Sequence, residues 1–184
     1  MTELSLNVLD IANNSIRADA TLIEIEIRIH RERDTLTIII ADNGCGMTEE
    51  QVKSVEDPFF TTRTTRKVGL GVPFFKMAAL STGGSFHIQS TPGVGTTVTA
   101  VFGLSHIDRM PLGDMNSTIH TLITLNTHID FLYTYEFDDK YFSLNTREFR
   151  EILSDIPFHT PEVSNYIKTY LEENQLETDG GYHI

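Results

Sequence analysis

Four short stretches of the sequence carry residues that can do chemistry. Asp10 and Asn14 stand four apart in DIANN. On a helix that spacing puts both on one face. There an aspartate can orient or deprotonate a water, and a carboxamide oxygen can ligate a hard cation such as Mg²⁺. An ordinary solvent face is the plainer reading of the pair alone. The second stretch is Asp42-Asn43-Gly44-Cys45-Gly46. A carboxylate there can accept from an amino group, and alternate glycines let the backbone come close to a ligand. Asn-Gly is also a common turn dipeptide, so a plain turn fits equally.

The third stretch runs from Asp57 to Gly71, DPFFTTRTTRKVGLG. Its hydroxyls, its cations Arg63, Arg66 and Lys67, and its glycines lead into a helix N-terminus. Exposed N–H groups, the helix dipole and nearby cations together suit a polyphosphate. No GxxxxGK[ST] motif occurs, so this is not a P-loop. A solvated loop is the alternative. The fourth stretch is Gly93-Val94-Gly95-Thr96-Thr97. Thr96 can reach a base directly or through water, although Pro-Gly followed by Gly is strong turn chemistry in its own right.

The elements that must hold these residues are readable. Residues 3–18 carry apolar positions at helical spacing. Thr21–His30 alternates, with Ile23, Ile25, Ile27 and Ile29 on one face, which predicts a half-buried strand. Leu36–Ala41 is β-branched throughout most of its length and predicts a more central strand ending at Asp42. Thr48 and Gln51 form a capping-box pattern for a short helix. Residues 72–82 predict a helix with Pro73 in its first turn, stopped by Gly83-Gly84. Ser85–Ser90 and Thr96–Phe102 predict a hairpin around TPGVG. Consecutive strands argue for a mixed sheet covered by helices rather than a regular βαβ repeat.

Composition narrows the function. The chain has 184 residues, 40% of them hydrophobic, and a net charge of −12. That charge opposes non-specific binding to nucleic acid or to an anionic membrane. One cysteine excludes a disulfide framework and a cysteine-rich zinc site. No run of about 18 apolar residues reads as a transmembrane helix, and the N-terminus lacks a secretory pattern, so a cytoplasmic protein is expected. Residues 1–103 carry 9 basic and 12 acidic residues, whereas 104–184 carry 5 and 14. We place a domain boundary near residue 104. Beyond it, a helix at 115–127, a hairpin around Asp138-Asp139, helices at 146–154 and 161–173, and a mobile TDGGYHI tail are expected. The −9 of this second part suits a basic protein partner or a solvated face.

Taken in order, the four stretches resemble the GHKL superfamily of ATP-binding domains, which includes histidine kinases, gyrase-type topoisomerases, MutL-type repair ATPases, large heat-shock chaperones and anti-sigma serine kinases. DIANNSIRADA (10–20) looks like the N box, DNGCGM (42–47) matches the DxGxG box, and DPFFTTR (57–63) resembles the phenylalanine-containing segment and lid start. GLGV (69–72) and GVGTTV (93–98) resemble the remaining glycine boxes. The resemblance spans roughly residues 3–103. It implies a two-layer α/β sandwich with helices on one face of a mixed sheet, and the helices and hairpin expected after residue 104 would form a small α+β C-terminal region beside it.

It also implies roles. Asn14 would coordinate Mg²⁺ bridging the phosphates of ATP. Asp42 would accept from the adenine amino group, with Gly44, Gly46 and Met47 close to the base and Thr96 supporting the same edge. Gly69 and Gly71 would cradle phosphates, with Leu70 between them. Thr62 belongs to the same binding set, and Arg63 or Lys67 would reach the terminal phosphate. Hydrolytic members carry Glu where this chain has Asp10, one methylene shorter. Lys67-Val68 stands where kinases often have Gly-Thr. Nothing resembling phosphoacceptor helices precedes the N box, so phosphotransfer to a separate partner protein is expected. A slow ATPase using Asp10 and a non-catalytic nucleotide sensor are the alternatives. His106-Ile-Asp-Arg-Met-Pro-Leu faintly echoes a phosphoacceptor motif, but its position favours a linker. An apolar face on the first helix leaves room for a homodimer.

Overall fold

Ile23, Ile25, Ile27 and Ile29 are all at most 1% exposed, whereas Glu24, Glu26, Arg28 and His30 between them are half-buried. The alternation therefore makes a strand with one covered face. This is β1 (Leu22–His30), and β2 (Thr35–Asp42) pairs with it antiparallel. The computed structural model describes residues 3–57, 70–154 and 156–184. Before β1 runs α1 (Leu4–Arg17), and after β2 come α2 (Glu49–Glu56) and α3 (Gly71–Ser81). The hairpin β3 (Ser85–Thr91) and β4 (Gly95–Gly103) follows. The chain ends with α4 (Met115–Leu125), β5 (Asp130–Phe137), β6 (Lys140–Asn145), α5 (Thr146–Leu153) and α6 (Pro161–Asp179).

The local signals act as the sequence predicts. Thr48 caps α2 through the Gln51 N–H, and the Gln51 side chain returns to the Thr48 N–H. Pro73 sits in the first turn of α3, where its missing N–H costs nothing. In α1, Leu4, Val8, Ile11 and Ser15 repeat at three- and four-residue steps and are buried against the sheet.

The six strands form one mixed sheet in the order β3-β4-β2-β1-β5-β6. All neighbours are antiparallel except β1 and β5, which run parallel. One hydrophobic cluster runs from Leu4 and Phe75 through Ile38 and Phe102 to Tyr135, Ile167 and Leu171. The boundary expected near residue 104 therefore falls within one sheet and one core. Residues beyond it extend the sandwich by two strands and lay α4 and α6 on the same covered face.

The C-terminal residues are docked, contrary to the mobile tail expected from their composition. Gly180 and Gly181 adopt positive φ and turn the chain back after α6. The Tyr182 ring then packs 5.3 Å from Phe137, and the Leu112 N–H donates to the Ile184 carbonyl at 2.9 Å. Pro111 and Leu112 in turn accept from the N–H groups of Leu4 and Ser5. Among the described residues, no helix is long and apolar enough to cross a membrane.

Candidate functional site

Asp42, Thr96 and Ser90 stand side by side across three strands. Asp42 on β2 is in register with Thr96 on β4, and Thr96 with Ser90 on β3. Each lies two residues from a buried side chain of the helix-covered face: Ile40, Val98 and Ile88. Period-two geometry therefore points all three toward that face, at its rim. The C-terminal end of α1 closes this corner.

The Asp42 carboxylate is fixed at both oxygens. Oδ2 accepts from the Ser15 hydroxyl at 2.5 Å, and Oδ1 accepts from the Gly44 N–H at 2.9 Å. The loop after Asp42 is stitched to its surroundings residue by residue. The Asn43 carboxamide oxygen accepts from the N–H groups of Thr21 and Leu22, both at 2.9 Å. Cys45 donates its N–H to the Ala18 carbonyl and accepts from the Gly93 N–H. Gly46 has φ +66°, and a Cβ there would lie 2.0 Å from the Thr91 carbonyl oxygen. Only glycine allows both the left-handed turn and that approach. The Met47 N–H then donates to Ser90 Oγ at 2.8 Å. Ser90 Oγ also lies 2.8 Å from Thr96 Oγ1 and 3.1 Å from the Gly95 carbonyl oxygen.

The flank of α1 that faces α3 carries the other two polar residues. Asp10 is exposed and Asn14 half-buried. A Cβ on Gly71 would stand 3.0 Å from Asp10 Cβ, so the start of α3 approaches α1 as closely as its backbone allows. Neither side chain has a hydrogen-bond partner among the described residues. No cluster of three His, Cys, Asp or Glu side chains occurs among the described residues. The carboxamide oxygen of Asn14 suits a hard cation that completes its shell with phosphate and water, as Mg²⁺ does.

Of the residues singled out from sequence, the fold gathers Asp42, Gly44, Gly46, Met47 and Thr96 at one corner, and Asp10, Asn14 and Gly71 along the adjoining α1–α3 seam. Leu70 precedes α3 with its side chain 51% exposed, turned to solvent. Thr62, Arg63, Lys67 and Gly69 lie outside the described residues. Two residues of the corner escaped the sequence reading, Ser15 and Ser90. Ser15 was signalled by its place directly after Asn14, and Ser90 by counting back from the TPGVG turn to the position opposite Thr96.

Residues 2–106 match the family described as histidine kinase-, DNA gyrase B-, and HSP90-like ATPases, and the chain belongs to that family. It is 33% identical over 97 residues to the sensor protein kinase FleS of Pseudomonas aeruginosa, covering 53% of this chain and 24% of FleS. It is 31% identical over 99 residues to the signal transduction histidine-protein kinase AtoS of Escherichia coli, covering 53% of this chain and 16% of AtoS. The chain thus spans a quarter or less of the length of these relatives. The ATPase domain of Aquifex aeolicus MutL, solved with ADP, superposes with a TM-score of 0.51 at 14% identity, over 83% of this chain and 69% of that one. At that identity the likeness is one of fold.

Proposed function

We propose that this chain binds Mg-ATP and signals by passing the γ-phosphoryl group to a separate partner protein. The observation that carries the nucleotide reading is the Asp42 carboxylate, clamped by Ser15 and Gly44 at the end of β2 with Thr96 beside it. A carboxylate whose position is fixed before binding is a strong acceptor for a purine amino group. Gly44 and Gly46 let the backbone lie close to the base, with Met47 against it. The first turn of α3, where Gly71 and Val72 carry backbone N–H groups, suits phosphate oxygens. Asn14 would hold Mg²⁺, which would supply positive charge to the phosphates when bound, and Asp10 beside it would be left to orient a water.

The partner reading has its own support. Leu70, Phe74, Met77 and Leu80 are 44–59% exposed and recur at helical spacing along one side of α3. Such a contiguous apolar stripe is the kind of surface a protein partner covers, and it starts at the phosphate end of the proposed site. The acidic 104–184 region offers a second contact surface. Slow hydrolysis is the second reading, favoured by the exposed Asp10 carboxylate, which has no hydrogen-bond partner among the described residues.

Titration with ATP in Mg²⁺ tests the first step, and incubation with γ-labelled ATP tests the second. Saturable ATP binding is expected, with label reaching protein only when a phosphoacceptor partner is added. Prompt label in free phosphate would favour hydrolysis. Binding with neither outcome would mark a nucleotide sensor, and no ATP binding would overturn the reading.

A further inference from the structure

The hydrogen bonds at Ser90 fix more than a turn. A serine hydroxyl has one proton to give and two lone pairs to receive with. Among the described residues Ser90 Oγ has three polar neighbours: the Met47 N–H at 2.8 Å, the Gly95 carbonyl oxygen at 3.1 Å and Thr96 Oγ1 at 2.8 Å. Met47 can only donate, and the Gly95 carbonyl can only accept. Ser90 therefore spends one lone pair on Met47 and its proton on Gly95. The remaining lone pair can be filled only by a proton from Thr96. All three contacts are satisfied together in this arrangement and in no other.

We propose that Ser90 is a specificity-positioning residue that makes Thr96 an acceptor-only group toward the purine base. With its proton turned to Ser90, Thr96 offers a ligand nothing but lone pairs. Asp42, its register partner, is an acceptor as well, and opposite residues of antiparallel strands lie only about 4.5–5.5 Å apart. Two neighbouring acceptors suit a six-amino purine, whose amino group carries two N–H donors. A six-oxo purine presents a carbonyl beside an N1–H. Asp42 can take that N1–H, but the carbonyl then needs a donor, and Thr96 has none to give. A buried acceptor left facing another acceptor is costly. Ser90 is thus the residue that withholds the donor, without touching the base itself. The inference rests on the nucleotide reading above and adds the source of its base selectivity.

ATP and ITP differ only in this edge of the base, so their dissociation constants in Mg²⁺ are the measurement. The wild-type chain is expected to prefer ATP. Ser90→Ala releases the Thr96 proton, and the ATP-over-ITP preference should fall roughly tenfold, the factor that one hydrogen bond of about 1.4 kcal/mol sets. Ser90→Thr keeps the hydroxyl and should retain the preference. A merely structural brace would weaken both nucleotides alike. An unchanged ratio in a folded Ser90→Ala protein overturns the proposal. Should that variant not fold, Thr96→Val decides: removing the acceptor should lower ATP affinity more than ITP affinity, and an equal effect on both overturns it. A wild-type chain that binds neither nucleotide would fail the nucleotide reading itself, whereas one that binds ATP and ITP equally fails only this inference.

Discussion

The Ser15 hydroxyl donates to Asp42 Oδ2 across 2.5 Å, joining the helix that bears Asn14 to the strand end that bears the acid. The bond locks the proposed cation and base sites into one unit, since Ser15 follows Asn14 directly. Asp42→Asn should break that unit selectively. Asparagine has one oxygen for two donors, the Ser15 hydroxyl and the Gly44 N–H, and it loses the charge. ATP affinity should fall roughly 10- to 100-fold, the usual worth of a hydrogen bond to a charged group. Calorimetric titration checks the affinity, and an unchanged far-UV spectrum would show that the sheet persists. Undiminished ATP affinity would remove Asp42 from the site.

Gly46 and Gly93 both have positive φ, but only one is crowded. A Cβ at Gly46 would meet the Thr91 carbonyl oxygen at 2.0 Å, whereas a Cβ at Gly93 would meet nothing within 4 Å. Gly93→Ala should therefore cost only the left-handed strain, about 1 kcal/mol. Gly46→Ala adds a backbone clash and should cost more, about 2–3 kcal/mol, while displacing Met47 and weakening ATP binding. Urea unfolding of the two variants side by side checks the ordering. Equal stabilities would mean that the loop moves away from Thr91 without cost.

Asp10 separates hydrolysis from binding. Its carboxylate is exposed and has no protein partner among the described residues, so its removal should not disturb the fold. In Asp10→Ala, melting temperature should stay within the small range usual for surface changes, about 0.5 kcal/mol equivalent. If Asp10 orients water, release of free phosphate should drop roughly 100-fold or more, as loss of a general base does, with ATP affinity changed far less. Unaltered turnover would exclude Asp10 as the water-orienting acid.

Much of this was legible because the relevant signals are local. The isoleucine alternation in β1, the Thr48–Gln51 capping box and the Gly83-Gly84 stop each depend on a few neighbouring residues. The elements after residue 104 were legible too, but not their destination. The parallel pairing of β1 with β5 joins Leu22 to Asp130, more than a hundred residues apart, and no local pattern encodes that distance. The same limit hid Ser15 and Ser90. Serine is unremarkable in a helix or at a strand end, and its role appears only when α1 meets β2, for Ser15, and when β3 aligns with β4, for Ser90. The tail TDGGYHI misled because two glycines suggest freedom, whereas here they supply the turn that seats Tyr182 on Phe137.

Asp138 gives the fold an acid-sensitive clasp. Its carboxylate accepts from the Arg31 N–H at 2.9 Å and from Arg31 Nε at 2.6 Å, tying the β5–β6 turn to the end of β1. The backbone bond, then the guanidinium, holds the carboxyl below its ordinary range. A lowered folded value means that the charged form is favoured in the native state. The contribution is therefore complete above the ordinary carboxylate range, near pH 4, and is lost as pH falls through the folded value. Asp138→Asn keeps the acceptor for the Arg31 N–H and tolerates the local φ of +53°. The stability gap between the two proteins should be widest near neutrality and close in acid. Urea titrations between pH 7 and pH 3 check this, and a gap that persists into acid would show that packing, not charge, ties the turns.

Asn7 carries the opposite kind of imbalance. It is wholly buried, yet among the described residues neither its carboxamide oxygen nor its nitrogen has a partner. Helical geometry places it one turn before Asp10 on the flank of α1 that faces α3. An amide buried without bonds costs about 1–3 kcal/mol relative to a satisfied one. Leucine has nearly the same shape and no such demand. Asn7→Leu should therefore raise stability by about 1–2 kcal/mol, read as a higher urea midpoint at unchanged slope. A carboxamide tolerated at that cost, so near Asp10 and Asn14, is expected to serve the site, so ATP affinity should fall in the same variant. Higher stability with full affinity would make Asn7 a tolerated defect of packing. Lower stability would show that the amide finds bonds in solution, through water or a shift of α1 against α3.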